Sequence, residues 1–205
     1  MGIELLRGHE KYRRRSLAAS RTFLRTLASD GQSPDVLFVG CSDSRVVPEL
    51  LTSSSPGDLF VVRNVANVVP VLAHADSSVG AAIEYAVGHL GVGHIVVCGH
   101  TKCGGVKAGL DGLAHPERLP SLVEWIAQIR DAVRDVPRDS PDLWRRAVEQ
   151  NVLRQVENLH SYPAVVAGVE AGELSLHAWV YDIEALDLAV WDEDANAFHG
   201  AQTML

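Results

Sequence analysis

The chain predicts an α/β protein: a mainly parallel β-sheet flanked by helices, with an N-terminal helical arm ahead of it and a late edge strand or hairpin behind it. Three observations carry this. Short apolar runs alternate with segments of helical period, the pattern of strand–helix units in a parallel sheet. Two of those runs pass directly into a glycine and a metal-competent side chain, at Gly40-Cys41 and Gly99-His100. No internal repeat, low-complexity tract or linker interrupts the 205 residues. They are therefore read as a single domain, with 1–30 as the arm and 31–205 as the core.

In chain order, Leu5, Leu6, Tyr12, Leu17, Phe23, Leu24 and Leu27 recur at helical spacing among Arg and Glu residues. They predict an amphipathic helix over 3–29 that stops at Asp30-Gly31. Val36-Leu37-Phe38-Val39 is a short buried strand. The turn signal Ser55-Pro56-Gly57-Asp58 introduces a second strand, Leu59-Phe60-Val61-Val62. A helix fits 77–90, and His94-Ile95-Val96-Val97-Cys98 is the third strand. Gly104-Gly105 opens a helix through Val106 to Leu110. The segments 119–134 and 141–172 read as helical, with Pro120, Pro137, Pro141 and Pro163 as punctuation. A late strand covers Leu174 to Ile183, and Leu186–Trp191 pairs with it as a hairpin.

Composition narrows the function. Hydrophobic residues are 47% and charged residues 21%, ordinary for a globular domain that buries its own core. The formal net charge of −8 argues against sequence-independent nucleic-acid binding, which needs a basic face. Cys41, Cys98 and Cys103 are too few and odd in number for a disulfide framework, and fit a reducing compartment where thiols stay free. Charges at Glu4 and Arg7 leave no signal-peptide apolar region, and no run approaches a membrane span. A cytoplasmic location is the expectation.

Two motifs carry chemistry: Cys41-Ser42-Asp43-Ser44-Arg45 and His100-Thr101-Lys102-Cys103-Gly104-Gly105. In an open parallel sheet, ligands bind beyond the carboxyl ends of strands, and both motifs sit at such ends. Two thiolates and one imidazole suit zinc, and three protein ligands leave the fourth position of a catalytic site. His100-x-x-Cys103 alone is also readable as a buried histidine and cysteine; the two motifs together favour the metal. Cys98 lies on the same strand face as His100, where a fourth thiolate would close the site. Inside an apolar strand it reads instead as a buried small hydrophobe. Asp43 and Arg45 can pair, with Arg offering a bidentate fork that holds the carboxylate off the metal. The same pair on a surface would be worth only about 0–1 kcal/mol. Gly104-Gly105 allows close backbone approach, and the helix N-terminus behind it favours an anion. His74, His94 and His177 have no motif support.

These residues resemble the beta-class carbonic anhydrases. The likeness extends to Phe60-Val61-Val62-Arg63-Asn64-Val65-Ala66-Asn67, to Gly80-Ala81-Ala82-Ile83-Glu84-Tyr85-Ala86, to Ile95-Val96-Val97-Cys98-Gly99-His100 and to Tyr181-Asp182. It covers roughly residues 31–190, weakest around 111–140. The resemblance implies reversible hydration of carbon dioxide to bicarbonate and a proton, by attack of zinc-bound hydroxide. It implies one zinc per chain on Cys41, His100 and Cys103, with Asp43 and Arg45 as the catalytic pair. It implies a substrate site at Gln32, Phe60, Val65, Tyr85 and the backbone near Gly104. It also implies a homo-oligomer built from dimers, with the helical arm embracing the partner subunit. Hydrolysis of carbonyl sulfide or carbon disulfide on the same scaffold, and a non-catalytic zinc or redox-sensing subunit, are the alternatives.

The resemblance divides further. In one branch the aspartate displaces water from zinc at low pH, and a bicarbonate ion held by a Trp, an Arg and a Tyr stabilises the closed form. Arg63 and Tyr181 match the last two, but Phe38 stands at the Trp position, three residues before Cys41. Phenylalanine has no N–H to donate. With Gln32 in Gly31-Gln32-Ser33-Pro34, this points to the plant-like, open-site branch.

Overall fold

The computed structural model describes residues 2–19, 21–74 and 77–203, without the side chains of 15–19, 21, 74 and 77. Two compact units result, one up to Ser33 and one from Pro34 onward. In the first, the described parts of the predicted helix over 3–29 are α1 (Gly2–Ala19) and α2 (Arg21–Asp30). Leu17, one of the apolar positions behind that prediction, lies outside the described side chains, and so does Ser20 between the helices. Leu5, Leu6, Tyr12 and Phe23 are exposed.

In the second unit, the apolar runs 36–39, 59–62 and 94–98 become β1 (Val36–Cys41), β2 (Leu59–Asn64) and β3 (His94–His100). β4 (Ser175–Tyr181), β5 (Leu188–Asp192) and β6 (Ala197–Gly200) complete a six-stranded sheet in the order β2-β1-β3-β4-β5-β6. β2, β1, β3 and β4 are parallel; β5 and β6 add antiparallel to the β4 edge. The hairpin expected after the late strand is therefore present, and β6 extends it. Between β2 and β3 the chain crosses to the other side of β1. The carboxyl ends of β1 and β3 thus flank the point where strand order reverses, where ligands bind in such sheets.

The period of two assigns the faces. Leu37 and Val39 of β1 and Ile95 and Val97 of β3 face the larger core. There they meet Ile83 of α4 (Ser77–Glu84), Val106 of α5 (Gly104–Asp111), Ile126 and Ile129 of α6 (Pro120–Ala132), Val148 and Val152 of α7 (Leu143–Leu159) and Val165 of α8 (Pro163–Glu170). The opposite face carries a smaller cluster of Phe38, Val96 and Cys98, with Leu51 of the short helix α3 (Pro48–Leu51), Trp179 and Leu188 against it. Burial on both faces explains why β1 and β3 read as unbroken apolar runs.

One helical prediction divides where its proline punctuation stands, and one is corrected. The segment 141–172 is broken between Leu159 and Pro163, because Pro163 has no N–H to continue a helix and instead opens α8 at its first turn. The predicted helix 77–90 is α-helical only to Glu84. It widens into a π-type turn over Tyr85–Leu90 and ends at Gly91, whose φ of 70° stops it.

Candidate metal centre

β1 delivers Cys41 as its last residue and β3 delivers His100 as its last. The chain then has to turn back within three residues to present Cys103. Lys102 makes this turn in the left-handed region, at φ 59°. Thr101 anchors it, since its N–H donates to Tyr181 O at 2.9 Å and its hydroxyl accepts from Ile183 N at 3.2 Å. Cys103 then caps the N-terminus of α5.

The result is a buried cluster. The ligand atoms of Cys41, His100 and Cys103 all lie within 4.8 Å of one another, the one such metal-competent group among the described residues. The two sulfurs are 3.9 Å apart. His100 Nδ1 lies 2.9 Å from Thr101 O, which can only accept, so the ring is protonated at Nδ1 and Nε2 carries a free lone pair. That Nε2 is buried and has no hydrogen-bond partner. A buried, unpartnered acceptor beside two thiols is costly on its own and is the arrangement a soft dication satisfies. The donor set therefore fits zinc. Cys98 is not part of the group: although it shares a strand face with His100, it packs with Phe38 and Val96, apart from the larger core that holds Cys41 and Cys103, and burial pushes its thiol up to about 12.

The thiols are electrostatically unequal. The neighbouring Cys103 lowers the Cys41 thiol, assisted by the backbone N–H groups of Asp43 and Ala66, each 3.4 Å from the sulfur, and opposed by burial. Cys103 moves the other way, held protonated by the Cys41 charge and by burial. A dication in the cluster would favour both sulfurs as thiolates.

Asp43 stands at the mouth. Arg45 grips it from Nε to Oδ1 at 2.9 Å and from Nη2 to Oδ2 at 2.7 Å, and the Arg45 backbone N–H adds a third bond at 3.0 Å. This hydrogen-bonded fork holds the carboxyl well below its usual range. Asp43 Oδ2 is still 3.8 Å from His100 Nε2, so the carboxylate faces the cluster without joining it. Arg45 is tied in turn to Lys102 O at 3.3 Å, which links the two motifs. Arg63 fixes the 41–46 loop itself, donating to Cys41 O, Asp43 O and Val46 O at 2.9, 2.7 and 2.6 Å.

The remaining predicted site residues are distributed as follows. Phe60 of β2 and Tyr85 at the head of the π-type turn face each other, with ring centroids 5.8 Å apart, and Tyr85 is 42% exposed. Val65 follows β2 and is partly exposed. Gln32 is an exposed residue of the first unit. Gly104 has open space within the chain where a Cβ would lie. Gly105 is the constrained glycine: a Cβ there would stand 2.8 Å from Val65 Cγ1 and 2.9 Å from Ala66 Cβ. Sequence reasoning also missed the Ala66 N–H on Cys41, since a backbone donor leaves no residue signature.

The family profile for carbonic anhydrase matches residues 36–188. A carbonic anhydrase of Pseudomonas aeruginosa is 41% identical over 199 residues, 95% of this chain and 90% of the relative. A solved beta-carbonic anhydrase superposes with a TM-score of 0.87 at 37% identity, over 96% of this chain and 98% of its own. A beta-carbonic anhydrase of Sordaria macrospora, described as tetrameric, superposes at 0.78 with 30% identity, over 91% of this chain and 94% of its own.

Proposed function

The chain belongs to the beta-class carbonic anhydrases, and on that premise we propose that it carries out zinc-dependent, reversible hydration of carbon dioxide, with one zinc held by Cys41, His100 and Cys103. The observation that carries the reading is the convergence of two thiols and an unpartnered imidazole nitrogen beside a carboxylate that is held back from them. Zinc, when bound, supplies a nucleophile at neutral pH by lowering the pKa of water to about 7.

The chain's own groups do the rest. Asp43, kept ionised by Arg45, accepts the hydrogen bond of the attacking oxygen and turns its lone pair toward the substrate carbon. Arg45 keeps Asp43 from filling the coordination position that the reaction needs. Phe60, Val65 and Tyr85 would offer an apolar slot suited to a small uncharged gas, and the backbone at Gly104 is the polar group assigned to its oxygens; Gln32 is assigned to substrate by the family resemblance alone. Arg63 keeps the 41–46 backbone from shifting under this load.

Two structural units make one functional domain in this reading, and the working assembly is a homo-oligomer built from dimers. Its support is the tetrameric relative and the apolar side chains the arm leaves exposed. A cytoplasmic location accords with the thiol ligands; no helix among the described residues is long and apolar enough to cross a membrane. The test is stopped-flow hydration of carbon dioxide alongside metal analysis. The expected result is activity tracking one zinc per chain, with zinc and activity both lost in Cys41→Ala and Cys103→Ala. Full activity in Cys41→Ala, or turnover of carbonyl sulfide in place of carbon dioxide, sinks the reading.

A further inference from the structure

The Cys41 sulfur depends on a backbone turn that alanine is poorly suited to make. Ala66, whose N–H lies 3.4 Å from that sulfur, has φ 63°, and Asn67 after it has φ 49°. Two consecutive non-glycine residues in the left-handed region persist only where the surroundings over-determine them. Asn64 closes the turn on itself, accepting from Val68 N at 2.7 Å and donating to Val68 O at 2.8 Å. The rest of the restraint comes from about 85 residues further along the chain.

One face of α7 presents polar side chains at helical spacing to this loop. Asn151 Nδ2 donates to Ala66 O at 3.0 Å. Gln155 Nε2 donates to Asn151 Oδ1 at 3.0 Å, and Gln155 Oε1 accepts from Val69 N at 2.8 Å. Asn158 Nδ2 donates to Val69 O at 2.8 Å. Asn151 and Gln155 are fully buried among Val148, Val152 and Leu159, positions where an apolar residue would ordinarily stand. Every polar atom of both side chains is engaged. The approach is set by Gly99, where a Cβ would stand 2.5 Å from Val152 Cγ2, so α7 reaches the loop only because β3 carries a glycine there.

We propose that Asn151 and Gln155 are positioning residues for the metal centre: they lock the strained Ala66-Asn67 turn so that the Ala66 N–H stays on the Cys41 sulfur. This rests on the zinc reading above. A hydrogen bond to a ligating thiolate fixes its orientation and shares its charge, and changes in such outer partners shift metal affinity by about 10–100-fold. A ladder that merely satisfied the core would affect folding stability and leave the metal untouched.

The test uses the full chain with Asn151→Leu, which keeps the branched side-chain shape and removes the bonds of Asn151 to Ala66 O and to Gln155. Two quantities are read: the zinc dissociation constant by chelator competition, and the thiolate-to-metal charge-transfer band of the cobalt-substituted protein. The expected result is zinc binding about tenfold or more weaker, with a displaced cobalt band. Adding Ala66→Gly to the same chain restores the affinity, since glycine takes a positive φ without a clamp. Wild-type affinity and an unmoved band in Asn151→Leu overturn the proposal, as does failure of Ala66→Gly to restore. If Asn151→Leu does not fold, Gln155→Met strips the Gln155 bonds to Val69 N and Asn151, and wild-type zinc affinity in that variant overturns it equally. A wild-type chain that takes up no zinc removes the metal reading together with the clamp, whereas a metal-binding wild type matched by its variants removes the clamp alone.

Discussion

Asp43 faces two partners, and the geometry decides between them. Arg45 offers three donors within 3.0 Å, while His100 Nε2 lies 3.8 Å away. Asp43→Asn therefore keeps the metal ligands and loses an ionised acceptor, and turnover should fall on the order of 10²-fold with zinc content unchanged. Arg45→Ala should fall comparably by freeing the carboxylate to reach the cluster. Wild-type turnover in either variant would show the pair to be structural only. The pair also has a pH signature. The folded carboxyl lies below its ordinary 3.8, so its contribution to stability is complete above that value and is lost as pH falls through the depressed one. The difference in thermal midpoint between wild type and Arg45→Ala should be constant around neutral pH and shrink only in strong acid; a difference that changes near neutrality contradicts the assignment. At this scale much of the centre was legible, because Cys and His at strand ends are chemically conspicuous. The Ala66 amide was not, since every residue but proline carries one.

Among elements, the Gly104-Gly105 pair shows where sequence reading stops. Both glycines look alike in a chain, and Gly104 attracted the functional reading. Packing separates them: α5 begins against the turn after β2, and only Gly105 meets Val65 and Ala66 within 3.0 Å. Gly105→Ala should cost about 1–3 kcal/mol by forcing α5 off that turn, and should weaken metal retention with it. Gly104→Ala, with open space around its new methyl, should stay within about 0.5 kcal/mol of wild type in denaturant melts. Equal losses in both would mean that backbone freedom rather than clearance is what the pair supplies. The strands were readable because burial on both faces makes them continuously apolar. The π-type turn at Tyr85–Leu90 was not, because its residues keep ordinary helical period up to the point where one extra residue enters the turn. The polar rungs Asn151 and Gln155 sat in plain view at helical spacing, but their purpose depends on a loop that the sequence places far away.

At the scale of the whole molecule, the exposed apolar residues of the arm and the partly exposed Val65 and Tyr85 call for a partner surface. Sedimentation should find no species smaller than a dimer, and a chain lacking 2–30 should sediment as a monomer; a stable, active full-length monomer would contradict the proposed assembly. The second global property is whether the centre closes on acidification. Closure in the branch that shows it is stabilised by a bicarbonate ion away from the metal, held by an indole N–H, a guanidinium and a phenol. Here the indole position is Phe38, fully buried with its ring set edge-on to Trp179 at 6.4 Å, and it has no donor to give. Arg63, the matching guanidinium, spends its Nε and Nη2 on the carbonyls of Cys41, Asp43 and Val46. A buried anion short of a donor loses about 1–3 kcal/mol of binding, a factor of roughly 5 to 150. With Asp43 already gripped by Arg45, the closed arrangement lacks both its anion and its released carboxylate. Activity should therefore fall on mild acidification with the shallow slope of a single titration, and added bicarbonate should act only as product. Steep, cooperative inactivation sharpened by bicarbonate would require a closed state that these contacts oppose.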